Sequence, residues 1–338
     1  MRIQTLLSAL ALTAVTATSA LAGGEINLYS SRHYDTDERL YSDFEATTGI
    51  TVNRIEAKAG ALMERMRAEG RNSPADVLLT VDAGNLWRAA EAGLFQPVES
   101  DILNDRIPDN LRSPDGAWVA FSQRARMIFY AKDRVENPPQ TYEALADPQY
   151  EGMICARSSS NIYMQSLLAS IVAHAGVEAA TAWAQGLHDN LARKPQGGDT
   201  DQLRGLISGE CDIAVANSYY FARALRKPVK GLTEGIDAIG WIFPNQDDRG
   251  THVNISGGGV AAHAPNRANA VLFLEYLAGN GAQAYFSAGN DEFPVVEGAE
   301  LSAETGALGA FEADALNVSE LGAHQKEAQM IYDRVGYP

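Results

Sequence analysis

The chain has 338 residues and carries 43 acidic against 27 basic side chains, a formal net charge of −16, which makes nucleic acid and anionic membrane surfaces unexpected partners. Its length is more than one hydrophobic core usually serves and predicts two domains or lobes. With 2 cysteines in all, a disulfide-dense miniature scaffold is excluded.

Residues 1–22 combine a basic start at Arg2, an apolar middle and the small-residue pattern Ala20-Leu21-Ala22, and read as a secretory signal peptide. No cysteine follows the cleavage point, so a lipid anchor is not expected, and no later apolar run reaches the roughly 18 residues of a membrane span. The mature chain, about 316 residues with a net charge of about −17, is expected to be soluble and exported.

From residue 25 strand and helix signals alternate. EINLYS reads as a strand; Asp35 and Glu38 then form a capping box before ERLYSDFEATTG, whose Leu40 and Phe44 share a face and whose Gly49 ends the helix. ITVNRIEA is a second strand, GALMERMRAEG a helix, ADVLLTV a strand buried on both faces, and NLWRAAEAG another helix. This βαβαβ rhythm predicts an α/β protein with a parallel sheet flanked by helices. A second unit begins near residue 125: TYEALADPQYEG as helix and turn, MICARS as strand, then a helix ending at Gly176, the helix EAATAWAQGLHDN, the short helix DTDQLRGLISGE, and the strand CDIAVA. GWIFPNQDDRGTHVNISGGGVAAHA is extended, and NRANAVLFLEYLAG and GAQAYFSAG are helical. AWVAFSQRARMIFYAK and THVNISGGGVAA read as crossings between lobes, and Gly257-Gly258-Gly259 as a hinge or tight turn. Cys155 and Cys211, in the strand-like runs GMICA and GECDIAVA, suit a disulfide in an oxidising compartment better than a metal site. The alternative is two buried free thiols.

The common nucleotide-binding and hydrolase motifs are missing: no G-x-x-x-x-G-K-[ST], no G-x-G-x-x-G after a strand, no H-E-x-x-H and no G-x-S-x-G. Without a recognisable nucleophile and base, an enzyme is not expected. His174, His188, His252, His263 and His324 stand apart from partners at metal-ligand spacing and read as surface or satisfied core residues. His33 differs by its neighbourhood, beside Tyr34 at the exit of the first strand.

Ligands of open α/β sheets bind outside the carboxyl ends of strands, where loops lead into helices. Three such exits carry tyrosine: SSRHYDTD with Tyr34, RSSSNIYMQ with Tyr163, and ANSYYFAR with Tyr219 and Tyr220. Neighbouring side chains of a strand face opposite ways, so Tyr219 and Tyr220 can share a target only where the strand has already broken. Packing between loops is one use for these rings. As phenolates they are instead hard, charged oxygen donors, and ionising one from a pKa of about 10 at neutral pH costs near 4 kcal/mol. Only a highly charged cation repays that several times over, and ferric iron fits where Ca²⁺, Mg²⁺ and Zn²⁺ prefer other donors. Arg223 follows Tyr219 by four residues and Tyr220 by three, so on a helix it can face both. Four phenolates on Fe³⁺ leave about one negative charge, which Arg223, Arg124 or Arg126 could balance. The competing reading is a receptor for an organic cation such as a polyamine, or for a sugar, with the tyrosines stacking on the ligand.

At these residues the chain resembles the periplasmic ferric-iron-binding proteins of bacterial ABC transporters. The likeness runs over nearly the whole mature chain, through INLYSSRHYDTD, PADVLLTVDAGNLWRAAEAGLFQPV, DPQYEGMICARSSSNIY, KPQGGDTDQLRGLISGECDIAVANSYYFARAL and GGGVAAHAPNRANAVLFLEYLAG followed by FPV. The tyrosine pair with its upstream tyrosine is specific to iron binders, whereas the ADV and late-helix segments are shared by many solute-binding proteins. The resemblance implies a type II periplasmic-binding-protein fold: two lobes, each a mixed, mostly parallel sheet flanked by helices, joined by β-strand hinges. Residues 23–122 with about 256–295 would form lobe 1, and about 123–255 with 296–338 lobe 2, with hinge crossings near 121–126 and 251–257. It also implies Tyr163, Tyr219 and Tyr220 as second-lobe ligands of Fe(III), with Tyr34 and His33 as first-lobe donors and His33 either ligating or standing behind. A synergistic anion such as carbonate joins the metal in some members. The protein would be a monomer in the periplasm, delivering iron to an inner-membrane permease.

Overall fold

The computed structural model of the chain describes residues 23–32 and 34–338, so the expected signal peptide and His33 lie outside the described residues. The alternation at the N-terminal end builds strands and helices where the sequence places them: β1 (Gly24–Ser30), α1 (Glu38–Thr48), β2 (Ile50–Glu56), α2 (Ala59–Glu69), β3 (Val77–Val81) and α3 (Ala83–Glu91). α1 buries Leu40, Tyr41 and Phe44 and closes at Gly49 in the left-handed conformation that glycine tolerates. The helix starts at Glu38, with Asp37 and not Asp35 at its cap position. A 3₁₀ turn over Asp35–Asp37 precedes the helix, and Asp37 at the cap position makes no capping bond, because Arg32 takes its carboxylate through Nε at 2.9 Å.

After α4 (Asp101–Arg106) comes β4 (Val119–Ala131), then β5 (Ile154–Cys155), α5 (Ile162–Asp189), α6 (Asp199–Ser208), β6 (Ile213–Asn217) and α7 (Ser218–Arg226). β7 (Ile239–Ile242), β8 (Val253–Val260), α8 (Arg267–Leu277), α9 (Asn280–Asn290) and β9 (Phe293–Pro294) follow, and α10 (Ala303–Gly306), α11 (Ser319–Ala323) and α12 (Gln325–Val335) finish the chain. TYEALADPQYEG forms two 3₁₀ turns, Glu143–Ala146 and Pro148–Tyr150, in place of the expected helix, since Pro148 cannot continue one. α5 joins the two expected helices across a break at Gly176, whose φ of 80° and ψ of 171° are not helical. By length and composition alone α5 could cross a membrane, contrary to the reading above, but Met164, Leu167, Leu168 and Ile171 bury its first half in protein core.

The sheet runs β2-β1-β3-β8-β4-β6-β5, with β7 and β9 also on β4. β1 pairs in parallel with β2 and β3, and β5 with β6; the pairings of β8 and β4 are antiparallel. β4 changes partners part-way, from β8 over Val119–Ala125 to β6 and β7 over Arg126–Ala131. One core lies around β1–β3, α1, α8 and α9, and two others flank β4–β6–β5. The C-terminal residues divide between them: Val318 and Leu321 join the first core, Ile331, Tyr332 and Tyr337 the second. Gly257-Gly258-Gly259 is not a turn but the middle of β8, threaded between β3 and β4. A Cβ there would strike the Val119 carbonyl, the Leu79 side chain or the Ala117 carbonyl.

Candidate metal centre

Three exits of the sheet converge. β6 ends at Asn217, and the switch to α7 puts Tyr219 and Tyr220 in a first helical turn, where adjacent side chains no longer point to opposite faces. Their rings lie 4.2 Å apart, centroid to centroid. Tyr163 sits in the first turn of α5, where the Asn161 side chain accepts from its backbone N–H, and its hydroxyl lies 3.4 Å from that of Tyr219. Tyr34 arrives on the loop after β1, with the Arg32 guanidinium 5.0 Å from its ring.

The phenols feel one another. Burial pushes Tyr219 well above the ordinary tyrosine range, and the neighbouring Tyr163, Tyr220 and Tyr34 push it further. Tyr220 is raised by burial and then by the Asp199 carboxylate and Tyr163; Tyr34 is pushed up to about 12 by burial, with Glu292 and Tyr163 adding to it. Among the described residues no three His, Cys, Asp or Glu side chains come together as a metal site. The hard donors gathered here are phenols.

The arginines stand as follows. Arg124 lies 5.6 Å and Arg126 5.9 Å from the Tyr163 ring, and Arg223 lies 5.5 Å from Tyr219 and 6.0 Å from Tyr220. Arg126 already has a counter-charge, Asp199, at 2.5 Å. Arg124 is 1% exposed, donates to Ser256 and stands 4.0 Å from Glu292, while its Nε and Nη2 find no partner among the described residues. The sequence reading missed four charged residues that back the site: Arg32, Asp199, Asp291 and Glu292, all 4% exposed or less. Only burial distinguishes them from surface charges, and no periodicity in the sequence announces it.

Cys155 and Cys211 are joined by a disulfide that ties β5 to the segment leading into β6. The tryptophans are occupied elsewhere. Trp118 and Trp183 are buried in the cores, Trp87 packs on Gly322, and Trp241 lies 5.2 Å from Phe221.

Residues 39–313 match the family of bacterial extracellular solute-binding proteins. The chain belongs to that family. This solute-binding protein is 51% identical over 316 residues to iron uptake protein A2 of Synechocystis sp., covering 92% of this chain and 90% of that one. Its structure matches that of FutA from Trichodesmium in complex with iron and citrate ligands with a TM-score of 0.90 at 51% identity, covering 93% and 100% of the two chains. The ferric binding protein of Campylobacter jejuni matches with a TM-score of 0.86 at 41% identity, again over 93% and 100%. The fold is thus the two-lobed, type II α/β fold, in the group that holds the iron uptake and ferric binding proteins.

Proposed function

We propose that this protein captures Fe(III) between its lobes through the phenolates of Tyr34, Tyr163, Tyr219 and Tyr220 and delivers it to an inner-membrane ABC permease. The observation that carries this reading is the cluster of phenols close enough to raise one another, at a place where the described residues gather no set of three carboxylate, histidine or thiolate donors; His33, beside Tyr34, remains a candidate donor or a residue standing behind. The relatives support it, being an iron uptake protein, an iron-bound FutA and a ferric binding protein. The lobes divide near 121–126 and 251–257, which accords with the change of partners along β4. Tyr163, Tyr219 and Tyr220 hold the ion first; Tyr34 completes the sphere only as the cleft shuts, so the metal selects the closed form. Arg124 has donors free to meet the extra negative charge or an anion such as carbonate, whereas Arg126 is committed to Asp199 and Arg223 in part to Asp291. The protein works as a periplasmic monomer.

Phenolate bound to Fe³⁺ absorbs visible light, so protein offered ferric citrate should turn orange to red and bleach with a strong chelator or a reductant. Protein that stays colourless would overturn the proposal in favour of an organic ligand.

A further inference from the structure

The residues Asn290-Asp291-Glu292, at the end of α9, reach both halves of the tyrosine cluster. Asn290 donates from Nδ2 to Asp37 Oδ1 at 2.8 Å and accepts from the Thr36 hydroxyl. Glu292 receives Arg32 Nη1 at 3.3 Å. Arg32, Thr36 and Asp37 bracket Tyr34, so two of the three side chains grip the loop that presents it. Glu292 also accepts from Ser122 of β4 at 2.7 Å and Ser256 of β8 at 3.4 Å, the two strands that cross between lobes.

Asp291 faces the other way. Its carboxylate takes a two-pronged bond from Arg226, Nε to Oδ1 at 2.6 Å and Nη2 to Oδ2 at 2.8 Å, and a longer one from Arg223 at 3.4 Å. Both arginines are on α7, whose first turn carries Tyr219 and Tyr220. The carboxylate is fully buried, and such a fork fixes orientation as well as distance. Asp291 also caps α9 in the left-handed conformation, φ 63°, where glycine is the usual residue.

We propose that Asn290-Asp291-Glu292 is the tie that sets Tyr34 against the Tyr219–Tyr220 pair, with Asp291 and Arg226 as positioning residues for iron capture. This rests on the proposed function. Without the fork α7 keeps its fold but, in the closed form, loses its set distance from the Tyr34 loop, so the ion is held by the second-lobe phenols alone. An ion held by fewer donors should leave faster.

The test loads wild type, Asp291→Asn, Arg226→Gln, the double variant and Tyr34→Phe with ferric citrate and follows the visible band and the rate of iron loss to an added chelator. Both single variants should lose iron roughly tenfold faster or more, with a band per bound iron shifted toward that of Tyr34→Phe. The double variant should be no worse than the singles, because they break one link. A purely structural role would lower the melting temperature and leave band and rate alone; that result, or additive losses, would overturn the tie. Arg226 is partly exposed, so Arg226→Gln decides the matter if Asp291→Asn does not fold. A colourless wild type would overturn the proposed function and the tie together, whereas a coloured wild type with unaffected variants would overturn the tie alone.

Discussion

Iron affinity should fall steeply as the pH is lowered, with a slope set by how many phenols must ionise. In the iron-free fold the Tyr34 hydroxyl is pushed up to about 12, and Tyr219 and Tyr220 are raised as well, all three chiefly by burial. At pH 7 Tyr34 therefore lies about five units below its midpoint, and ionising it costs about 7 kcal/mol. Under the proposed function these groups are protonated in the empty site and would be deprotonated as ligands, so binding would release protons and affinity would rise with pH. Three such phenols give a gain of at least about three powers of ten in affinity per pH unit between pH 6 and 7.5. The assay is competition against a chelator whose own proton dependence is known, at constant ionic strength. Tyr34→Phe should lower the slope by about one. A wild-type slope of about one or less, or a slope that Tyr34→Phe leaves unchanged, would refute phenolate capture by these residues.

Tyr219→Phe should abolish most of the visible absorbance of the iron-loaded protein, whereas Tyr276→Phe, on α8 in the first core, should leave it intact; equal loss in both would mean that other phenols bind. His252 is driven down to about 3 by burial and by the Arg126 guanidinium, so the unfolded chain takes up a proton below pH 6.5 that the fold refuses. The stability it contributes is present above pH 6.5 and is lost as pH falls toward 3, about 2 to 3 kcal/mol of it between pH 7 and 4.5. Urea unfolding at the two pH values should show that loss in the wild type and less of it in His252→Asn. The disulfide closes a loop of sequence separation 56, worth about 4 kcal/mol in the chain-entropy account. Unfolding with and without reductant should show a deficit of that order.

Much of the fold was legible because its signals are local. Alternating apolar runs and terminal glycines marked β1, α1, β2, α2 and β3, and the tyrosines stood at strand exits that any α/β sheet turns into a ligand site. What stayed hidden depends on contacts distant in sequence. The helix expected to start behind Asp35 starts at Glu38, after a 3₁₀ turn, and Asp37 at its cap position is drawn away by the buried Arg32. Gly257-Gly258-Gly259 reads as a hinge or tight turn; the structure puts the three glycines in mid-strand and uses their missing side chains, with β3 and β4 too close on either side. Asn290-Asp291-Glu292 reads as a polar helix end, and its partners lie 65 residues away at Arg226 and 260 away at Arg32.

The buried arginines explain why such a cleft should close on a loaded ion in preference to an empty site. Arg124 keeps Nε and Nη2, and Arg126 its Nε, buried without a hydrogen-bond partner among the described residues. A buried donor left unmade costs about 1–3 kcal/mol, more when the group is charged. Neutral phenols around an empty cleft offer Arg124 little, whereas four phenolates on one trivalent ion would bring a net negative charge to the Tyr163 ring that it overlies; Arg126, over the same ring, already has Asp199. On the proposed reading, a form that keeps these donors buried is therefore more favourable when the cargo is present than when it is absent. Capture and conformational selection then share one electrostatic origin: removing Arg124's charge by Arg124→Met should make the empty protein easier to close, seen as a smaller radius of gyration without iron, while weakening the loaded form. An empty protein that stays as open as wild type would show that the guanidinium does not hold the lobes apart.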